Sequence, residues 1–320
     1  MSTDAPSRST KGARLTLVVL GLCLLAIALM YVRGGRTNLG VVIAGGLPVL
    51  VAVAVVAALV PWRHRTGWRA TLLAIILVSQ APLLDHAVPD GADVDPGVPT
   101  IRLATLNTMH SGPSDASLVD LAEDVDVLAL QEWNPDRTDG LTEALGPRWR
   151  LATDERDDYI GAHVTVWVRT AWRVDAEEPL PGEQAGTSLR LRRGETEVTV
   201  VGTRLQNPAF LAADRWGAGL DSLRAVADRT YGPLVVMGDL NATPSAVAFR
   251  GFARRSGLRD CTAQLGSGYP GTWGRTPTSW APVPIDHVMT RDAACTDLRI
   301  TRHPGSDHSA LRAVVALPRD

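Results

Sequence analysis

The sequence has very little lysine and cysteine, and both shortages limit what the protein can be. Lys11 is the only lysine among 32 basic residues, so arginine carries nearly all positive charge, which a coding bias explains better than function does. The cysteines are Cys23, Cys261 and Cys295, and they form no Cys-x-x-Cys pair and no Cys/His spacing typical of a zinc site. The net charge of −2 excludes a general basic field that would attract nucleic acid.

The sequence does contain three long apolar segments in its first ninety residues, at 15–32, 40–61 and 70–84. A membrane-spanning helix needs about 20 apolar residues, with a lower limit near 17. The first two segments reach that length without a charge, whereas the third is short and is interrupted by Gln80 and Pro82. A signal peptide would be followed by a polar mature domain, but here a second, longer apolar segment follows. We therefore predict a membrane anchor of three transmembrane helices.

The distribution of basic residues predicts the orientation of these helices. With the N-terminus inside, two basic residues, Arg33 and Arg36, lie outside, and six lie on the cytoplasmic side: Arg8, Lys11, Arg14, Arg63, Arg65 and Arg69. The positive-inside rule then places the C-terminal region outside the membrane. Residues 85–99 have no Lys or Arg, are rich in Pro, Gly and Asp, and are predicted to be an exposed linker. An even number of spans would reverse the orientation, so segment 70–84 decides it.

Beyond residue 100, five short segments place polar side chains where an apolar run ends. They are LN at 106–107, QE at 131–132, GDLN at 238–241, IDH at 285–287 and SDHS at 306–309. A short β-rich run that ends in polar groups is typical of a strand whose carboxyl end carries function. Asn, Glu, Asp and His side chains gathered in this way favour a site for a hard divalent cation with phosphate-binding groups around it.

The rest of 100–320 alternates short apolar runs with helical periodicity, which predicts an α/β domain. Helices are predicted at 117–125, 209–231 and 245–256, the last capped by Thr243 or Ser245. The alternating segment 195–205 is predicted to pair with 188–193 across a turn at Gly194. Periodicity alone allows two sheets without requiring them.

The order of these segments resembles the endonuclease/exonuclease/phosphatase superfamily, the DNase-I-like metal-dependent phosphoesterases. The resemblance covers about two thirds of the chain and is most specific in GDLNATP at 238–244 and SDHSAL at 306–311. It implies a two-sheet α/β sandwich with helices on its outer faces, a Mg²⁺ or Mn²⁺ cofactor, and a phosphorylated substrate. Some membrane-bound bacterial members with three N-terminal spans are linked to glycopeptide resistance, which favours a lipid-linked or cell-envelope substrate.

The resemblance assigns the metal to three side chains. Glu132 matches the carboxylate that holds the catalytic metal in the family, and a buried carboxylate seldom lacks a partner. Asp307 is expected to help bind that metal. Asn107 is expected to ligate it as well, or to orient Glu132.

The resemblance also assigns the groups that would act on the phosphate. Asp239 matches the carboxylate that orients or deprotonates the attacking water, and Asn241 matches the amide that donates to non-bridging phosphate oxygens. His308 matches the imidazole that faces the scissile phosphate, and Asp286 matches the carboxylate that hydrogen-bonds to it. His287 lies outside the match and is expected to be a packed or exposed histidine.

One position departs from the family pattern. Arg204 stands where a histidine is common, and it is expected either to bind phosphate in a bidentate manner or to be a surface residue whose histidine function is lost. Asn207, three positions on, matches an amide that some members use near phosphate. Trp273 and Trp280 lie before Asp286 and either contact substrate or pack the loop.

These observations favour a membrane-anchored metal-dependent phosphoesterase that faces outward, and they leave two alternatives open. One is an extracellular metal-dependent nuclease, although Arg190, Arg192 and Arg193 form the only local basic cluster and have no aromatic residues among them. The other is a catalytically silent receptor or scaffold that keeps the fold. An outward-facing domain also permits disulfides, so Cys261 and Cys295 could pair.

Overall fold

The computed structural model describes residues 8–59, 73–74, 76–77, 84–89, 97–157, 162–182, 184–209, 213–274 and 282–317. Its N-terminal part contains helix α1 (Arg8–Met30), a short 3₁₀ turn (Val32–Gly35), helix α2 (Asn38–Gly45) and helix α3 (Leu47–Leu59). Thr37 caps α2 by accepting a hydrogen bond from the backbone N–H of Gly40.

The N-terminal helices differ from the predicted spans. The prediction of one continuous helix over 40–61 is wrong, because α2 and α3 meet at Gly46 with a bend of 61°. Glycine and the following Pro48 break helical continuity there. Among the described residues, no single helix has both the length and the apolar character to cross a membrane, whereas the bent α2–α3 pair passes on length and composition. Most of the predicted third span, 70–84, lies outside the described residues.

Two six-stranded sheets form the rest of the described chain. The strands of the first sheet, given in spatial order, are β11 (Ala294–Arg302), β12 (Ser309–Ala316), β1 (Thr100–Asn107), β2 (Val127–Trp133), β4 (Ala162–Arg169) and β3 (Trp149–Asp157). Those of the second sheet are β5 (Arg173–Pro179), β6 (Ala185–Arg193), β7 (Thr196–Arg204), β8 (Leu234–Asp239), β10 (Asp286–Arg291) and β9 (Arg259–Asp260). Parallel pairs occur at β1–β2 and β7–β8.

The sheets pack face to face through one apolar layer. Leu103 and Ala129 from the first sheet and Val200, Val235 and Val288 from the second belong to the same buried cluster. Alternate residues of each strand enter this layer, as expected for a sandwich with both faces covered. The predicted two-sheet α/β sandwich is confirmed.

Helices cover the outer faces of both sheets. They are α4 (Asp115–Leu121), α5 (Thr138–Leu145), α6 (Ala213–Arg229) and α7 (Val247–Ser256), whereas the single-turn α8 (Cys261–Gln264) places Cys261 in the core between the sheets. Three of them match the predicted helices to within a few residues, but the predicted cap of α7 is wrong, because Ala246 is at the N-cap and provides no side-chain hydrogen bond. The predicted hairpin around Gly194 is confirmed, with Arg193 opposite Thr196.

The N-terminal helices share a hydrophobic core with the sandwich. Met30, Val41, Ala44 and Leu47 belong to the same buried cluster as Trp216 of α6 and Phe249 of α7. An ion pair of 2.6 Å joins Arg36 to Asp221, and the side chain of Asn38 donates to the carbonyl of Pro208 at 2.5 Å. The N-terminal helices are therefore packed against helices α6 and α7, which cover the outer face of the second sheet.

Candidate active site

The polar residues at the strand ends meet because each lies on the side of its strand that faces the other sheet. Residues two apart on a strand face the same side. Asn107 therefore shares the inward face of β1 with Leu103, and Asp239 shares that of β8 with Val235. The same rule brings Arg204 of β7 and Asp286 of β10 to the inner face, so four polar groups enter one end of the sandwich.

Strand register then sets these groups side by side. Asp239 lies opposite Arg204 on the parallel strand β7 and opposite Asp286 on the antiparallel strand β10. One carboxylate is thereby flanked by a cation and by a second carboxylate at the same level. Asp239 is 1% exposed, so these charges interact with little screening by water.

Glu132 joins the cleft through a bulge at the end of β2. Simple alternation would point it away from the inner face that Ala129 and Gln131 share, but the β2–β4 register shifts between Leu130 and Trp133. The backbone of Glu132 has a φ of +51°, a left-handed conformation that costs free energy in a residue other than glycine. The bulge therefore aims the carboxylate at Asn107 and Arg204.

Asn107 orients two carboxylates. Its Nδ2 donates to Oε1 of Glu132 and to Oδ2 of Asp239, both at 3.0 Å. Its Oδ1 accepts from the backbone N–H of Met109, which fixes the amide in this orientation. Of the two roles considered for Asn107, this geometry favours orienting Glu132 over ligating a metal through Oδ1.

Arg204 is a buried partner of Glu132. Its Nε and Nη2 both lie 3.0 Å from Oε1 of Glu132, and Nε lies 3.9 Å from Oδ2 of Asp239. At 7% exposure it is not a surface residue. The substitution that departs from the family pattern thus places a permanent positive charge among the site carboxylates.

Asn241 is bound to Asp239 through a tight turn. Because β8 ends at Asp239, the two side chains meet through the left-handed backbone of Asn241 (φ +46°) and not through strand alternation. The backbone N–H of Asn241 donates to Oδ1 of Asp239 at 2.9 Å, and its Nδ2 donates to Oδ2 at 3.0 Å and to the carbonyl of Leu205 at 2.9 Å. Gly238 is required beside them, since a Cβ there would lie 1.9 Å from the carbonyl oxygen of Thr203.

His308 and Asp286 form a buried imidazole–carboxylate pair. Nδ1 of His308 lies 2.8 Å from Oδ2 and 3.1 Å from Oδ1 of Asp286, which leaves Nε2 as the nitrogen that can meet substrate. Burial alone would lower the pKa of His308, but the charge and hydrogen bond of Asp286, with Asp239 and Asp307, raise that pKa to about 9. The ring is therefore an imidazolium near neutral pH.

The pKa of Asp239 is also raised, but here burial is the main cause. Burial raises its pKa to about 6, and the nearby charge of Asp286 adds to this rise, while His308, Arg204 and the hydrogen bond from Asn107 oppose it. A carboxylate that titrates close to neutrality can accept a proton from water far more readily than an ordinary one.

Asp239, Asp286 and His308 are grouped closely enough to hold a metal, with their ligand atoms within 4.8 Å of one another. Within this group, Asp286 already holds Nδ1 of His308 by hydrogen bonds at 2.8 and 3.1 Å, an arrangement suited to moving a proton at Nε2. Glu132 offers a further carboxylate, the type of oxygen donor that Mg²⁺ and Mn²⁺ prefer. Within the described chain, Oε2 of Glu132 accepts no hydrogen bond, and Nε2 of His110 lies 3.8 Å from it.

Two other predicted site residues, Asp307 and Asn207, form hydrogen bonds with neighbours other than the site carboxylates. Oδ2 of Asp307 accepts from Nε1 of Trp273 at 3.2 Å, and the Trp273 ring lies 6.5 Å from that of His308. Oδ1 of Asn207 accepts from the backbone of Ala209, and no hydrogen bond within the described residues joins Asn207 to the other site groups. Trp280 lies outside the described residues.

A second buried imidazole–carboxylate pair was missed by the sequence analysis. His287 bonds through Nδ1 to Asp260, and its Nε2 donates to the carbonyl of Ala242 at 2.7 Å. Burial would lower the pKa of His287, but Asp260 raises it, while the same contact outweighs burial and lowers the pKa of Asp260. The pair thus holds the backbone immediately after Asn241. Alternation along β10 already indicated that His287 faces away from Asp286, but nothing in the sequence marked Asp260.

Ser306 is the other residue that was not assigned a role. Its Oγ donates to the carbonyl of Asn107 at 2.6 Å and accepts from the backbone N–H of His308 at 2.9 Å. Ser306 therefore links the loop that carries His308, immediately before β12, to the end of β1.

Cys261 and Cys295 form a disulfide, with their Cα atoms 5.4 Å apart. The bond closes a loop with a sequence separation of 34 between α8 and β11, next to Asp260. Replacing both cysteines with alanine is expected to lower the free energy of unfolding by about 4 kcal/mol, the scale for a loop of this length. Urea unfolding of the full chain would measure this. An unchanged midpoint, or alkylation of both thiols without prior reduction, would contradict the pairing.

Comparison with known proteins identifies the family. The profile described as "Endonuclease/Exonuclease/phosphatase family" matches residues 104–308. The chain belongs to this family. The residues that form the cleft all lie within the matched segment. A search of curated proteins found no match.

Solved structures in the family share the fold at low sequence identity. An endonuclease/exonuclease/phosphatase family protein from Bacteroides thetaiotaomicron has a TM-score of 0.56 at 15% identity, covering 70% of this chain and 100% of that one. The mannosyl-6-phosphatase Bt3783 of the same organism has a TM-score of 0.54 at 15% identity, covering 68% and 100%. D. rerio TDP2, complexed with single strand DNA product, has a TM-score of 0.56 at 13% identity, covering 68% and 98%.

Proposed function

We propose that this protein is a membrane-anchored, divalent-metal-dependent phosphoesterase whose active site lies outside the cytoplasmic membrane. Its proposed substrate is a phosphate ester or pyrophosphate on a lipid or cell-envelope carrier. The observation that supports the chemistry most directly is the buried row of Arg204, Asp239 and Asp286, with His308 paired to Asp286. Family membership supports hydrolysis of a phosphate bond.

Each site residue has a separate role in an in-line displacement at phosphorus. Asp239, with a pKa of about 6, accepts the proton of the attacking water and aims it at phosphorus. As the water oxygen bonds to phosphorus, the bond to the leaving oxygen on the opposite side breaks, and the leaving oxygen takes a proton from solvent. His308, held by Asp286, donates through Nε2 to a phosphoryl oxygen as charge accumulates there. Glu132 and Asp307 are the residues proposed to hold a Mg²⁺ or Mn²⁺ ion, which would supply positive charge to neutralise the phosphate. Arg204 holds the Glu132 carboxylate in place through its Nε and Nη2.

Exposed apolar side chains support the membrane anchor. Large hydrophobic residues of α1, α2 and α3 are half exposed or more, including Leu22 at 60%, Val49 at 66% and Val56 at 64%. Such a concentration of apolar surface in water is unfavourable, and a bilayer would cover it. The proposed topology puts the turn at 32–35 and the sandwich on the same, outer side, which agrees with their direct contact.

The fold alone does not choose the substrate, since similar structures include a phosphatase and a protein with a DNA product. The net charge of the chain favours a phosphatase over a nuclease. Binding of duplex DNA depends on many contacts from basic residues, and a chain with a net charge of −2 has no broad basic surface to provide them. An anchor raises the effective concentration of bilayer-embedded substrates and does nothing for free DNA.

The substrate test compares the full chain on matched phosphates. Protein in lipid nanodiscs would be assayed with Mg²⁺ against an undecaprenyl-type lipid pyrophosphate, a soluble sugar phosphate and duplex DNA, with Asp239→Asn as the inactive control. We expect the lipid substrate to be cleaved fastest. Faster cleavage of DNA, with an affinity that falls steeply with salt, would favour the nuclease alternative. No turnover of any substrate would favour the silent scaffold.

The topology can be tested separately with a reporter fused to the C-terminus. Alkaline phosphatase, which needs an oxidising compartment, is expected to be active there, and a reporter that works only in the cytoplasm is expected to be silent. The reverse result would place the cleft inside the cell and would leave the proposed chemistry intact.

The two perturbed groups predict a bell-shaped pH dependence. Asp239 must be ionised and His308 protonated, so kcat/KM should rise with pH up to about 6 and fall above about 9. Asp286→Asn removes a charge that raises the pKa of His308, so the upper limb should move to lower pH. The measurement is a kcat/KM profile on a substrate that does not titrate in this range. An unmoved upper limb in Asp286→Asn would show that His308 does not set it.

A further inference from the structure

A second cavity, rich in arginine, lies between the N-terminal turn and helix α7. It has a volume of about 810 Å³, and its lining residues include none of the groups assigned to catalysis. Tyr31 and Gly34 of the turn form one side, and Asp85 and His86 form another. The arginines that line it are Arg36, Arg250, Arg254, Arg255 and Arg259.

Carboxylates balance only part of this positive charge. Arg36 is paired with Asp221, and Asp260 is paired with His287. Arg250 is held by the carbonyl of Ser245 and by Tyr31 Oη at 3.4 Å, so it keeps its charge. Arg254 and Arg255 are exposed, and within the described residues no ion pair joins either of them to a carboxylate.

The cavity walls are fixed before any ligand arrives. Gly35 packs so closely on α7 that a Cβ there would lie 2.7 Å from the Cβ of Val247 and 2.9 Å from the backbone nitrogen of Ala248. On the other side, Nδ1 of His86 lies 2.8 Å from Oγ1 of Thr262. A preformed pocket loses less conformational entropy when a ligand binds.

We propose that this cavity binds a phosphate group, separately from catalysis. Guanidinium groups match phosphate oxygens in pairs, and Arg250 and Arg254 lie one helical turn apart on the same face of α7. The phosphate can belong to an anionic lipid headgroup or to free inorganic phosphate. The proposed topology puts the turn between α1 and α2 at the outer membrane surface, where headgroups are available.

The alternative explanation is that the arginines stabilise the end of α7. Arg254 and Arg255 lie in its last turn, where positive charge interacts favourably with the helix dipole. This account explains neither the charge of Arg250, which lies before the last turn of the helix, nor the cavity beside the N-terminal turn. It predicts a loss of stability without a loss of binding when the two exposed arginines are replaced.

The test measures ligand binding by the full chain in neutral detergent. Short-chain phosphatidylglycerol, short-chain phosphatidylcholine and inorganic phosphate would each be titrated by calorimetry into wild type and into the double variant R254Q/R255Q. We expect phosphatidylglycerol to bind wild type and the double variant to weaken it at least about tenfold, on the scale of lost charge-assisted hydrogen bonds. Binding of inorganic phosphate with the same loss would assign the site to free phosphate.

The matched control is R102Q/R299Q, which removes two exposed arginines from strands of the first sheet. It should bind like wild type. Equal binding by R254Q/R255Q, equal weakening by the control, or binding of phosphatidylcholine as tight as that of phosphatidylglycerol would overturn the proposal. Hydrolysis of a soluble substrate should be unaffected in both variants, so this result is independent of the proposed enzymatic function.

Discussion

Replacing His308 with alanine is expected to lower turnover by at least about a hundredfold, the scale for losing a general acid or an electrostatic group aimed at the transition state. The reason is the paired geometry, since Asp286 fixes the ring and keeps it protonated near neutral pH. Single-turnover rates on the best substrate found would measure the effect on the chemical step. Asp286→Asn should lower the rate less, and the double variant should be no slower than His308→Ala, because the two residues act as a unit.

A third histidine–aspartate pair provides the control. His163 lies 2.6 Å from Asp154 on the paired strands β3 and β4, and within the described residues no hydrogen bond or ion pair joins it to the groups assigned to catalysis. His163→Ala should retain nearly full turnover. If both histidine variants lose activity equally, loss of folding rather than chemistry is responsible, and circular dichroism would show it. Full activity in His308→Ala would remove this residue from the mechanism.

Glu132→Gln should abolish metal dependence together with activity. The substitution keeps the size of the side chain but removes the negative charge that a divalent ion needs, and it leaves Arg204 beside the site without its carboxylate partner. We expect turnover to fall by at least about a hundredfold. Calorimetric titration with Mn²⁺ should show binding to wild type and none to the variant, a readout that does not depend on turnover.

The matched carboxylate is Glu177, an exposed residue of the edge strand β5. Glu177→Gln should bind Mn²⁺ and turn over substrate like wild type. Treatment of wild type with excess chelator should abolish activity, and added Mg²⁺ or Mn²⁺ should restore it. Full activity in chelator would rule out the metal mechanism, whatever the variants show.

Much of the fold follows from the sequence because its signals are local. The hairpin at Gly194 and helix α7 are short segments whose own periodicity and turn residues specify them. The bend at Gly46 was missed because hydropathy reports how apolar a segment is and not whether its helix is continuous. The contact of Met30 and Val41 with α6 and α7 was also beyond the sequence, since nothing local states which surface an apolar helix will cover.

The candidate site was likewise predictable where the signal is local and not where it depends on distant contacts. Apart from Arg204, the residues gathered at the cleft were marked by their position after apolar runs, and Asp239 and Asp286 indeed face each other in register. The role of Arg204 was not predictable, because its partner Glu132 is distant in the chain and reaches it only through a bulge. Asp260 went unnoticed for a similar reason, since its importance comes entirely from His287 on another strand.

If the chain is anchored in a membrane as proposed, the core that the N-terminal helices share with the sandwich would fix how the protein searches that membrane. A catalytic domain on a flexible tether explores a volume set by the length of the linker, but here the N-terminal helices pack against the domain through Met30, Val41 and Leu47. On the proposed topology, its cleft would sit at one fixed height and angle, and it would meet substrate by drifting sideways with its anchor. Lengthening the segment between His86 and Gly97 would then leave its reach unchanged.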